Sequence, residues 1–230
     1  MAQEKKLFRE TALYPIIFMV IITVIFVGLL SLFYNSEKSR IDDNQEILYY
    51  RQILEIFNDK IAEVDFYEIQ DDQVLEFKDK YLMDFELTSE KGLRRYFKVV
   101  DNGLVLGYCF DIIGAGLWGT MKAVVGFEPN LETLIDFNVY EQVETPGLGG
   151  RIAEPADKLN LRADLKGTRF LDSGKITNYK LISESSSPDK SNEIRQITGA
   201  TITSSSFLKM LNQEMSILIP LFQEEMAKGE

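Results

Sequence analysis

The longest unbroken apolar stretch runs from Ala12 to Tyr34 (ALYPIIFMVIITVIFVGLLSLFY) and contains no charged residue. At about 1.5 Å per residue it can cross a ~30 Å hydrocarbon core, so it predicts one transmembrane helix over residues 12–34. Tyr14 at one end and Phe33 and Tyr34 at the other suit the headgroup level, and Pro15 is tolerated in the first turn. A cleaved signal peptide fits less well, because the sequence after Phe26 (VGLLSLFYNSEKS) offers no good small-x-small site. From Ser36 to Ala62 the spacing of Ile47, Tyr50, Leu54, Phe57 and Ile61 predicts a second, amphipathic helix, with Asp42, Asp43 and Glu46 near its start. Asp65 to Gly92 has no clean period and reads as mixed structure. Extended runs at Arg94–Val100 and Leu104–Ile113 flank Asp101-Asn102-Gly103, a hairpin signal, and further strands are expected at Gly119–Phe127 and Thr133–Val143. A Gly-rich loop, a short helix near Ala153–Leu165, a strand near Lys175–Ser183, a polar linker Glu184–Asn192 and a final helix follow. The fold expected after the anchor is one α+β domain with a mostly antiparallel sheet and flanking helices.

Composition narrows the chemistry. The 230 residues are 45% hydrophobic, enough for a sizeable core, and carry a formal net charge of −11, which opposes binding to nucleic acid. There is no His and one Cys, Cys109. His-assisted triads, His-ligated haem or zinc, and an intramolecular disulfide are therefore excluded. Cys109 lies mid-strand and reads as a buried apolar side chain. Basic residues flank the anchor almost equally, Lys5, Lys6 and Arg9 before it and Lys38, Arg40 and Arg51 after it. Residues 1–11 carry +1 and the remainder −12, which leans toward a cytoplasmic N-terminal arm.

The last helix has an apolar stripe of Phe207, Leu208, Leu211, Met215, Leu218 and Phe222, and Pro220 should kink or end it. Its start, Thr198-Gly199-Ala200-Thr201-Ile202-Thr203-Ser204-Ser205-Ser206, sets a small turn and many hydroxyls where backbone N–H groups and the helix dipole favour an anion such as phosphate. The same residues are also ordinary for a helix N-cap.

Thr198-Gly199-Ala200-Thr201 resembles the [Ser/Thr]-Gly-Ala-Thr flavinylation motif of the FMN-binding domain family. That family includes the G subunit of Rnf electron-transport complexes and the C subunit of the sodium-pumping NADH:quinone reductase. Two further stretches look like the same family in the right order: Gly114-Ala115-Gly116-Leu117-Trp118-Gly119-Thr120-Met121-Lys122 and Glu144-Thr145-Pro146-Gly147-Leu148-Gly149-Gly150. The resemblance covers roughly Leu93 to Phe222. Two departures stand out: Arg195 occupies the place where the family usually has Asp, and Tyr140 to Val143 precede Glu144 where Rnf-type members often have His.

The resemblance implies FMN joined through its phosphate to the Thr201 hydroxyl by a flavin transferase that uses FAD as donor. Thr198, Gly199 and Ala200 would frame the attachment point, and Gly116, Leu117, Trp118, Glu144, Thr145, Leu148 and Gly149 would meet the flavin from the two Gly-containing loops. Trp118 and Pro146-Gly147 read without the resemblance as a core aromatic and an ordinary turn. No catalytic residue and no metal ligand are assigned. The expected organisation is a cytoplasmic arm (1–11), the transmembrane helix (12–34), a helical connector (35–92) and the FMN-binding domain (93–230), anchored in the cytoplasmic membrane lipid with the flavin on the extracytoplasmic side. The function implied is electron relay beside multi-span membrane subunits of an Rnf- or reductase-type ion-translocating complex. The alternatives are a stand-alone membrane flavoprotein serving an extracytoplasmic reductase, and a non-redox scaffold with a vestigial motif.

Overall fold

The structure, a computed structural model, describes residues 13–90, 92–155 and 157–228. The arm over residues 1–11 and the first residue of the expected membrane helix lie outside them. The chain divides into two compact units at Glu46/Ile47. Helix α1, Leu13–Ile56, carries an apolar window of mean hydropathy 3.0, none of it buried within protein, and is long enough to cross a membrane. Two helices were expected between residues 12 and 62, and one is found. No Gly or Pro interrupts Tyr34 to Ile56, and local bonds carry the polar stretch, with Ser36 Oγ donating to the Phe33 carbonyl and Arg40 pairing with Glu37. After Ile56 the chain passes into a short 3-10 turn, Asn58–Lys60.

In the second unit, α2 (Asp71–Tyr81) leads into a five-stranded antiparallel meander: β1 Leu82–Ser89, β2 Gly92–Asp101, β3 Leu104–Ala115, β4 Thr120–Phe127 and β5 Leu134–Glu141. The expected hairpin turns at Asn102 and Gly103, both at positive φ. β1 and α2 fill the stretch that shows no clean period. The α2 start has a capping box between Gln70 and Gln73, with Asp71 and Asp72 in its first turn and Lys78 and Lys80 in its last. β1 is an edge strand with little burial, so it lacks the alternation that marks strands in sequence. Further on come a 3-10 turn Gly149–Ala153, α3 Asn160–Leu165, a small ladder β6 Leu171–Asp172 with β7 Lys175–Ile176, a parallel pair β8 Lys180–Ile182 with β9 Glu193–Arg195, and α4 Thr201–Lys228.

Side chains alternate across the sheet, so both faces are covered. Tyr96, Tyr108, Phe110 and Ile112 pack with Phe207, Leu211, Met215 and Phe222 of α4, whereas Phe97, Val99, Cys109 and Val124 pack with Ile53, Leu54 and Phe57. Cys109 is fully buried, which pushes its thiol well above the usual range. α4 runs through Pro220 rather than ending there. Pro220 and Ser216, whose carbonyl loses its helical partner, both lie on the exposed face, while Leu218, Ile219 and Phe222 keep the other face in the core.

One polar group under the sheet has a measurable consequence. The Asp111 carboxylate accepts a 2.8 Å hydrogen bond from the Tyr140 hydroxyl, and burial pushes its pKa up to about 6. A folded value above the unfolded one, near 4, means that ionising Asp111 costs stability, so its contribution falls as pH rises from about 4 to 6 and is level above. Asp111→Asn is expected to stabilise the chain by about 3 kcal/mol above pH 6 and to flatten this slope, read from denaturation midpoints between pH 4 and 7. An unchanged slope would assign the titration to another group.

Candidate functional site

Three segments far apart in sequence converge at the N-terminus of α4. The helix opens after a turn in which Gly199 sits at φ +75, and a Cβ there would come 2.8 Å from Leu148 Cδ2. Ala200 is buried, and its N–H donates to the Ile197 carbonyl at 2.9 Å. The backbone N–H groups of Thr201, Ile202 and Thr203 find no acceptor among the described residues, leaving the positive end of a 28-residue helix open.

The hydroxyls crowded here separate by role. Ser204 is buried; its Oγ accepts from the Ile197 N–H and donates to the Ala200 carbonyl, both at 3.0 Å. Thr203 is buried, and its Oγ1 donates to Glu144 Oε2 at 2.6 Å. Thr201 is exposed, and among the described residues no hydrogen bond ties up its hydroxyl.

The loop between β3 and β4 presents Leu117 and Trp118 to solvent, Trp118 with 69% of its surface exposed. The Thr145 to Leu148 turn, with Gly147 at φ +75, is exposed throughout. Between them lies Glu144, only 6% exposed. Its side chain is turned inward: Oε1 accepts from the N–H groups of Leu117 at 2.6 Å and Trp118 at 3.2 Å, and Oε2 accepts from Thr203. Buried Gly149 makes room for it, since a Cβ there would sit 2.6 Å from Glu144 Oε2.

Below Thr198 the turn is held by ion pairs that sequence reasoning missed. Glu184 Oε2 accepts from the Thr198 N–H at 2.8 Å, and the same carboxylate takes two bonds from Arg151 at 2.9 and 3.3 Å, which with the Thr198 contact hold its pKa down to about 2. Arg195 packs onto Asp164 of α3 through Nε at 2.8 Å, Nη2 at 2.6 Å and its backbone N–H at 2.9 Å. A carboxylate thus stands beside position 195, contributed by a different element. Nothing local in the sequence signals these partners, which lie 14 to 33 residues apart.

These residues fit a flavin phosphoester. An exposed hydroxyl at an open helix N-terminus suits a phosphate, and Leu117, Trp118 and Leu148 offer an exposed apolar rim for an aromatic ring. Residues 116–216 match the FMN-binding domain family, so the resemblance carried by the motifs holds over the stretch from Gly116 to Thr201. Over 91 residues, 40% of this chain and 34% of the relative, the chain is 33% identical to the C subunit of the Na(+)-translocating NADH-quinone reductase of Vibrio anguillarum. Over 124 residues, 52% of this chain and 46% of the relative, it is 33% identical to the C subunit of the same reductase from Neisseria meningitidis serogroup A. The chain spans about a third to a half of the length of these curated relatives. Its fold is similar to the crystal structure of the reductase's C subunit from Parabacteroides distasonis, with a TM-score of 0.63 at 21% identity over 78% of this chain and 93% of that one. It is also similar to Shewanella oneidensis NqrC, with a TM-score of 0.57 at 19% identity over 71% and 91%.

Proposed function

We propose that this chain is the membrane-anchored flavoprotein subunit of an ion-translocating oxidoreductase complex, with FMN held as a phosphoester on Thr201. The observation that carries this reading is the fate of the hydroxyls: Thr203 and Ser204 are buried and bonded internally, and Thr201, the last residue of the motif, is left exposed at the open helix end. In the attachment, Thr201 Oγ1 bonds to the FMN phosphorus of FAD, the phosphoanhydride bond breaks, and AMP leaves with the displaced proton. A separate flavin transferase would catalyse it. When bound, FMN supplies a carrier that accepts and passes on single electrons.

The chain's own residues hold that carrier. The amides of Thr201 to Thr203 and the dipole of α4 stabilise the phosphoester charge by about 0.3–1 kcal/mol, more where partly buried. Leu117, Trp118 and Leu148 give the ring apolar cover, and Thr145 has an exposed hydroxyl to orient it. Covalent attachment prevents loss of the cofactor. The relatives are named as C subunits of a sodium-translocating reductase, which favours a complex of that type over an Rnf-type one, with multi-span membrane subunits as partners.

Mass spectrometry of the chain from cells containing the transferase should find one added FMN less water, mapped to Thr201. Thr201→Ala should abolish it, and Thr203→Ala and Ser204→Ala should retain it at reduced yield or stability. An unmodified wild-type mass, or retained adduct in Thr201→Ala, would refute the assignment.

On this reading the flavin domain lies outside the cytoplasmic membrane, in line with the +1 arm and the −12 remainder. An electron delivered from the cytoplasmic side then crosses part of the bilayer and experiences part of the roughly 2.3 kcal/mol per charge per 100 mV. Protease added to intact spheroplasts should digest the domain and spare the arm; protection of the domain would reverse the orientation.

A further inference from the structure

Among the described residues, Asp111 is bonded to the Tyr140 hydroxyl, but the carboxylates of Asp136 and Glu214, buried in the core, have cationic partners, Arg162 and Arg94. The carboxylates near the α4 start do too, Asp164 with Arg195 and Glu184 with Arg151. Glu144 is different. Its three partners are two backbone N–H groups and one hydroxyl, all donating to it, and none carries charge. Its carboxylate is therefore held by neutral dipoles, with no cationic partner among the described residues, at the point where the Gly116–Gly119 loop meets α4.

We infer that Glu144 is a positioning residue and a fixed charge of the flavin site: it clamps the loop bearing Leu117 and Trp118 to the first turn of α4, and its charge lowers the reduction potential of the bound flavin. The inference rests on the reading that Thr201 carries FMN. The clamp follows from geometry. Leu117 and Trp118 have no helix or strand bonding of their own, and their amides meet a carboxylate 26 and 27 residues away, which is tied in turn to Thr203, two residues from Thr201. Gly116 and Gly149 keep this arrangement open, since a Cβ at either would strike the carboxylate oxygens. The charge effect follows from Coulomb's law. Each electron that oxidised flavin takes from an external reductant adds one negative charge unless a proton follows it, and an unpaired carboxylate close by opposes that addition.

Two variants separate the parts. Glu144→Gln keeps the shape, since its carbonyl oxygen can accept from both amides and its NH2 can donate to Thr203 Oγ1, but it removes the charge. Glu144→Ala removes clamp and charge together. Trp118 is the only tryptophan in the chain, so its fluorescence reports the loop without any flavin. In detergent-solubilised full-length protein from cells lacking the flavin transferase, time-resolved anisotropy of Trp118 should show a new fast component in Glu144→Ala and the wild-type decay in Glu144→Gln. If Glu144→Ala does not fold, Thr203→Val, which deletes one donor, takes its place with a smaller effect in the same direction. A wild-type decay in the clamp-deficient variant would overturn the clamp. In protein with the adduct confirmed by mass, anaerobic dithionite titration should give Glu144→Gln a more positive midpoint than wild type; an equal or more negative midpoint would overturn the charge effect. Absence of the adduct from wild-type protein would instead overturn the flavin reading and the charge effect that depends on it, and leave the clamp to the anisotropy result.

Discussion

Arg162→Ala is expected to cost about 3–5 kcal/mol of folding stability, one of the largest single losses in the chain. Arg162 and Asp136 have 5% and 2% of their side chains exposed and are joined by two bonds, Nε to Oδ1 at 2.8 Å and Nη2 to Oδ2 at 3.1 Å. Removing the guanidinium leaves a carboxylate in the core of β5 with, among the described residues, only the Phe137 N–H at 2.7 Å and Lys166 Nζ at 4.0 Å to hold it. That remnant places the loss toward the lower end of the range. Replacing both partners, Asp136→Leu with Arg162→Met, removes the charge along with its partner and should recover most of the stability. Denaturant unfolding of the detergent-solubilised chain by near-UV circular dichroism measures both. A loss under about 1 kcal/mol for Arg162→Ala would show that Asp136 is satisfied without it.

Phe207→Ala should cost a similar amount, about 3–5 kcal/mol, for a different reason. Phe207 is fully buried, and its ring lies 4.3 Å from that of Phe137, centroid to centroid, at an interplanar angle of 34°. Truncation leaves a cavity between α4 and β5 that two stiff elements cannot close. Because Phe207 lies about 1.7 turns below Thr201, the loss should also loosen the helix start and lower the yield of the Thr201 adduct in cells containing the transferase. Ile202→Ala, at a side chain 59% exposed on the same turn, should change stability by no more than about 0.5 kcal/mol. Equal losses at the two positions would mean that the helix start is not anchored through Phe207.

The elements legible in the sequence are those whose signal is local. The uncharged run from Leu13 to Tyr34 is helical because a long apolar segment must satisfy its backbone internally, and the Asn102-Gly103 turn follows from two residues that tolerate positive φ. The strands β2 to β5 and the helix α4 announce themselves by apolar spacing, and the three glycine-containing motifs point to one family before any packing is known. Tertiary structure decided the rest. β1 is a strand because β2 offers it a pairing edge, and α4 continues past Pro220 because the lost hydrogen bond faces solvent while Leu218 and Phe222 stay in the core. Spacing alone places Glu144 and Thr145 together at the mouth of a loop, yet the fold turns one carboxylate inward to three donors and leaves the other side chain exposed. Arg195 and Asp164, and Glu184 with Arg151 and Thr198, become partners only when α3, β9 and the α4 turn are brought together. A hydrogen bond depends on where its partner stands in space, and for groups 14 to 59 residues apart that position is set by the packing of the sheet and helices.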